Sequence, residues 1–374
     1  MPWTNDSRTS DSIPLLCSNS VQHSRRSSAS RFPSRTFTTA IHSAISPHSS
    51  PPSLPLPSPV FLGYQIPDFE YGTSPQDTFG LVVAQAHEAE SAGFDCLYVM
   101  DHFYPLPLIG PIDGTMFESQ TLLSALAATT SNIGLSPLVS SVTYRNPTLL
   151  AKSTATIDAI SGGRGGFGLG TGWFEREHRD FGFDLGRLSD RYEKLSETLQ
   201  ILRALISGDP GVFSGRWFRC DRPIMNPPLR SDIPVLVGGG GELRTFGLAA
   251  RYADHLNILC DAAVITRKVS AAEARCAEVD RDPATLLTSY TAYLFTADSD
   301  REAQVVHEAF MARRGGVAAA AVGRHFVGTA ATVADQLLGR IVDKGVGGLI
   351  VNMVTAGHVP GRISDVAHAL RAAR

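Results

Sequence analysis

From residue 60 onward, short apolar runs alternate with stretches of helical periodicity, and the alternation repeats eight times. VFLGYQI (60–66) is the first such run. CLYVM (96–100), residues 133–141, GGFGLG (165–170), PVLVG (234–238), HLNIL (255–259), TAYLF (291–295) and GLIVN (348–352) follow it. The helical patterns lie between them. Ser74-Pro75 opens one with an N-cap and a first-turn proline, and Gly93 closes it. Others cover 118–130, start at Pro147, or cover 242–253, 262–279 and 332–344. Residues 189–207 set Tyr192, Leu195, Leu199, Leu202 and Ile206 on one helical face, and Gly208 stops them. A strand followed each time by a helix requires a parallel sheet, because every crossover returns the chain to the same end. An open doubly wound sheet accommodates this number of units. Eight of them between residues 60 and 374 fit an α/β (β/α)8 TIM barrel with insertions better.

Chemistry in such a barrel sits at the C-terminal ends of the strands. The second run ends in Asp101-His102-Phe103 and the third near Val139-Ser140-Ser141, ahead of Tyr144-Arg145. The fourth ends in Gly170-Thr171-Gly172-Trp173, with Glu175, Glu177 and His178 just beyond. The fifth ends in the run Gly238, Gly239, Gly240, Gly241 before Glu242, and the eighth in Asn352. His102, between an aspartate and an aromatic at a strand end, suits a catalytic or ligand-binding role. A structural imidazole oriented by Asp101 is the alternative. Glu175 and Glu177 also suit the first turn of a helix, where the dipole favours acids. Trp173 is either a core side chain or a wall for a flat ring.

The stretch RGGFGLGTGWFEREH (164–178) resembles a dinucleotide-binding turn at first sight. That turn needs G-x-G-x-x-G after the first strand and an acid about 20 residues on, at the end of the next strand. Here the spacing is G-x-G-x-G on the fourth strand, and the corresponding acid, Glu193, falls within a helix. Gly238 to Gly241 make a better phosphate cradle. Bare backbone N–H groups precede a helix N-terminus there, although a flexible turn also explains glycine.

Residues 1–59 have another composition. They are rich in Ser and Pro, with five Arg, no Lys and only Asp6 and Asp11 as acids. Such a segment buries too little apolar surface to offset its ordering entropy, so we expect disorder. A non-functional extension is the preferred reading, with an organellar transit peptide as the alternative. The expected organisation is therefore an extension over 1–59 and one barrel domain over 60–374. A net charge of −3 gives no reason to expect nucleic acid as a partner. No apolar run approaches the length of a membrane span. Five scattered cysteines without a C-x-x-C pair fit a reducing, cytoplasmic setting. The histidines show no metal-ligand spacing, so no metal is expected.

GFDCLYVMDHF (93–103), VSSVTYRNPTLLAK (139–152), residues 162–178, IPVLVGGGGELRTFGLAARYAD (233–254) and residues 327–352 together resemble the luciferase-like monooxygenase superfamily. DHF and GTGW-x-x-x-E look most like its branch that uses coenzyme F420. The resemblance implies a luciferase-like TIM barrel with a deazaflavin or FMN at the C-terminal face. It implies a non-prolyl cis peptide near Pro137, Leu138 and Val139, backing the middle of the ring. By the same match Asp101 and His102 lie near the ring, Thr171 and Gly172 meet its polar edge, and Gly238 to Gly241 meet its phosphate-bearing chain. The expected function is hydride transfer between F420 and a small-molecule substrate. His102 is then the acid or base, and Glu177 a second catalytic group near the ring. The alternatives are an FMN-dependent monooxygenase using oxygen and a non-redox barrel that binds a phosphorylated ligand. Many barrels of this kind pair, so a homodimer is one assembly the resemblance allows. Residues 209–232 are expected either to cover the pocket or to form an oligomer contact.

Overall fold

The computed structural model describes residues 60–319 and 321–373, so the expectations for residues 1–59 lie outside the described residues. The eight expected strands are all present. They are β1 (Phe61–Ile66), β2 (Cys96–Val99), β3 (Gly134–Pro137, resuming at Ser140–Ser141), β4 (Phe167–Gly170), β5 (Val235–Gly239), β6 (His255–Ile258), β7 (Leu287–Thr296) and β8 (Gly348–Met353). Every pairing among them is parallel, in the order β3-β2-β1-β8-β7-β6-β5-β4. Strand β3 closes the ring by its own break. Its first half pairs with β2, and Ser140 and Ser141 pair with Leu169 and Gly170 of β4.

The break explains three glycines. The peptide bond between Leu138 and Val139 is cis, where the family resemblance implied one. A Cβ on Gly168 would collide with the Pro137 carbonyl. One on Gly170 or Gly238 would meet a Val139 methyl at 2.6 or 2.8 Å. Glycine in β4 and at the end of β5 thus makes room for the bulge of β3.

The helices form where their caps and faces direct. Ser74 accepts from the Asp77 N–H at the start of Pro75–Ser91. The helix Leu188–Ile206 buries Leu195, Leu199, Leu202 and Ile206 as expected. Tyr192 leaves that face, and its hydroxyl lies 2.9 Å from Thr245 Oγ1. Two elements were not legible in sequence. His325–Gly328 is a parallel strand beside the outer half of β7. Within 209–232, Val212–Ser214 and Arg219–Asp221 form a hairpin. Glu197 accepts the N–H groups of Trp217 and Phe218 and so ties this segment to the helix Leu188–Ile206. None of residues 209–232 lines the cavity described below, which corrects their expected role as its cover. No described helix is long and apolar enough to cross a membrane.

His255 lies with Nε2 2.7 Å from Ser289 Oγ and its ring edge-on to Phe61. Burial lowers its pKa to about 3, far below the ordinary histidine value. The unfolded chain therefore binds a proton near pH 6.5 that the folded chain refuses. The stability from the neutral ring is complete above that pH and is lost as pH falls towards 3. Below about pH 6 the loss approaches ~1.4 kcal/mol per pH unit. We expect the thermal midpoint of His255→Gln to fall less between pH 7 and 5 than that of the unaltered protein. Parallel curves for the two would refute this.

Candidate functional site

A cavity of about 330 Å³ opens at the C-terminal ends of the strands. That volume lies within the ordinary range for small-molecule sites, ~300–1,000 Å³. Asp101, His102, Leu138, Val139, Thr171, Gly172, Gly238 and Gly239 line it. The structure thus brings together most residues singled out from sequence. It adds Gln65, Leu106, Leu108, Tyr293 and Arg324 to the wall.

Glu177 does not line the cavity, which corrects its expected place near the ring. It is fully buried behind His102, whose side chain is 15% exposed. One carboxylate oxygen accepts the N–H groups of Phe103 and Tyr104 at 2.6 and 2.9 Å. The other meets His102 Nδ1 and accepts the Tyr144 hydroxyl, both at 2.8 Å. Burial by itself would raise the Glu177 pKa. The hydrogen bonds and charge of His102, with the Tyr104 N–H and the Tyr144 hydroxyl, outweigh it and hold the carboxyl below its ordinary value. An ionised Glu177 can only accept, so Nδ1 of His102 carries a hydrogen. In the neutral ring that leaves Nε2 as a free acceptor. Trp173 and Phe174 flank the ring edge-on.

Asp101 lies at the cavity wall, but both its oxygens are committed. Arg145 donates to each of them, Ser119 donates to Oδ1 at 2.6 Å, and the Ser141 N–H donates to Oδ2 at 3.3 Å. Arg145 also pairs with Glu118. Asp101 therefore fixes the second half of β3 against β2. On the other flank, Asn352 donates to Gln65 at 2.9 Å, and Gln65 donates to the Leu138 carbonyl at 3.2 Å. The cis bulge is held from both sides. Pro137, assigned to the ring from sequence, does not line the cavity.

Gly240 and Gly241 also fall outside the cavity wall. They continue past β5 into the helix Arg244–Tyr252, whose N-terminus has no side-chain cap. Among the described residues, no protein acceptor takes the N–H groups of Gly240, Gly241, Glu242 or Leu243. A Cβ on Gly241 would meet the hydroxyls of Tyr192 and Thr245, each at 2.8 Å. Lys268 donates to the Gly240 carbonyl at 2.7 Å and pairs with Glu242. This donor set fits a phosphate next to the cavity. Tyr192 and Thr245 were missed in sequence, where the helical period of Tyr192 matches that of core leucines.

A parallel eight-stranded barrel with a largely apolar cavity that carries a few polar groups at its C-terminal face has the architecture of barrels that bind small molecules. Residues 60–340 match the luciferase-like monooxygenase family, and the chain belongs to it. A pyrimidine monooxygenase RutA of Variovorax paradoxus is 34% identical over 189 residues, half of each chain. The RutA of Stutzerimonas stutzeri is 32% identical over 60% of this chain and 63% of its own. The chain thus spans only about half to two thirds of the length of these curated relatives. Two solved structures share the fold. One is an F420-dependent secondary alcohol dehydrogenase holding an F420-acetone adduct (TM-score 0.71, 19% identity, 84% of this chain and 99% of that one). The other is the EDTA monooxygenase of Chelativorans sp. BNC1 (TM-score 0.70, 17% identity, 84% and 94%).

Proposed function

We propose that the protein passes hydride between the deazaflavin F420 and a small organic substrate with a hydroxyl or carbonyl carbon, in one barrel domain over residues 60–374. The observation that carries this reading is the His102–Glu177 pair at the cavity wall. Loss of hydride from a carbinol carbon requires that the hydroxyl proton go elsewhere. Nε2 of His102 is placed to take it and, in the reverse direction, to return it. Glu177 keeps the ring in the required tautomer and stabilises it once charged. When bound, the deazaflavin would supply the carbon centre that accepts or gives hydride.

The remaining residues bind and orient. Leu138 and Val139 would hold the ring from one side, and Thr171 and Gly172 would offer backbone groups to its edge. Gly238 and Gly239 open the way to the phosphate donors of Gly240 to Leu243, with Tyr192 and Thr245 beside them. The solved alcohol dehydrogenase shows that this fold hosts F420 with a three-carbon ketone. The second reading, an FMN-dependent monooxygenase, draws on the relatives named pyrimidine monooxygenases.

Titration with both carriers separates the readings. We expect F420 to bind with a micromolar Kd and its oxidised absorbance to bleach when a secondary alcohol is added. Protein that retains FMN and consumes oxygen with a reduced flavin supports the second reading instead. Binding of neither carrier leaves a non-redox phosphate-binding barrel.

A further inference from the structure

Among the described residues, three ionisable side chains other than tyrosine line the cavity, namely Asp101, His102 and Arg324. Asp101 is neutralised by Arg145, and His102 is held by Glu177. Arg324 is different. Among the described residues, no carboxylate lies within 4 Å of its guanidinium. Its partner is Tyr293, with the guanidinium carbon 4.8 Å from the ring centroid and one N–H 3.4 Å from the phenol oxygen.

Two other half-buried arginines are satisfied by backbone carbonyls near helix ends. Arg164 serves Ala127, Thr130 and Ile133, and Arg281 serves Ala249, Ala250 and Ala253. Among the described residues, Arg324 has no such carbonyl partner. A half-buried cation in a cavity wall shared with Leu106 and Leu108 is costly to desolvate unless an anion joins it. The strand His325–Gly328, with no counterpart among the eight barrel strands, is what brings Arg324 to the wall.

We propose that Arg324 determines specificity by selecting substrates that carry an anionic oxyacid group, a carboxylate in the simplest case, beside the carbon that reacts. The guanidinium receives the carboxylate through paired N–H donors, and His102 handles the hydroxyl. This rests on the assignment of the cavity as the substrate site made above, but not on which carrier is used.

The test measures binding by calorimetry, on the protein loaded with whichever of F420 or FMN it holds, or on the protein alone if it holds neither. The probes are matched pairs: 3-hydroxybutanoate with 3-hydroxybutanamide, and mandelate with mandelamide. We expect at least one carboxylate to bind about tenfold or more tighter than its amide. Arg324→Met should erase that difference and Arg324→Lys should keep part of it, with carrier affinity unchanged in both. The proposal is overturned if neither carboxylate is preferred, or if the preference survives in Arg324→Met. It is equally overturned if Arg324→Met weakens the carrier tenfold, because the guanidinium would then serve the carrier's own anionic chain. Failure of hydride transfer from F420, with the carboxylate preference intact, would count against the proposed reaction alone.

Discussion

Replacing His102 with alanine should lower turnover by about 10² or more while leaving carrier affinity in place. The expectation follows from what the ring does and does not hold up. Its Nδ1 is anchored on Glu177 and its Nε2 has no protein partner among the described residues. Glu177 still accepts the N–H groups of Phe103 and Tyr104 and the hydroxyl of Tyr144 when the imidazole is gone. The turn after β2 therefore keeps two of its three ties to the buried carboxylate, and Tyr144 keeps its own. Loss of rate without loss of fold is the signature of a proton-transfer group. Steady-state kinetics with the carrier saturating, together with a carrier titration, measure it. Full turnover in His102→Ala would remove the residue from the chemistry, and Tyr293 would become the next hydroxyl to test.

Arg145→Met should cost about 3–5 kcal/mol of stability, a drop in thermal midpoint on the order of 10 °C. The side chains of Arg145 and Asp101 are 12% and 1% exposed. Without the guanidinium, Asp101 keeps only Ser119 and the Ser141 N–H, and a buried charge remains poorly compensated. Burial works against the Arg145 charge, yet Asp101 and then Glu118 outweigh it and raise its pKa. The double variant Asp101→Asn with Arg145→Met should recover part of the loss, because it removes the stranded charge as well. Additive losses in that cycle would mean that the two residues act separately. The same pair anchors Ser141 and so the second half of β3, so both variants should also weaken carrier binding.

The carboxylate of Glu177 shows what kind of information a sequence withholds. Its position in the first turn of a short helix is legible, and so is the dipole argument for an acid there. Its real partners lie 73 to 75 residues earlier, at the end of β2. No local pattern encodes a contact of that span. The glycines at 168 and 170 are legible as part of the fourth strand and Gly238 as part of a phosphate cradle. Packing against the bulge of β3 is a reason for all three that appears only when three strands are side by side. Tyr192 follows the spacing of buried leucines, although its hydroxyl meets Thr245 beside the glycine run after β5. The strand His325–Gly328 was missed because four residues carry too little periodicity to stand out beside the helix that follows.

Periodicity in this chain determined the number, kind and order of the barrel elements, because burial of one face per element is a local rule that each segment obeys by itself. It also placed His102 and the glycine run at strand ends, where a barrel gathers its polar groups. Which side chain meets which was decided by the closed ring alone. Closure brings β3 against β4 and sets the β2 turn over Glu177. It also lets an added strand deliver Arg324 to the same cavity. Contacts between residues far apart in the chain depend on the shear and closure of the whole sheet, and no single segment carries that quantity.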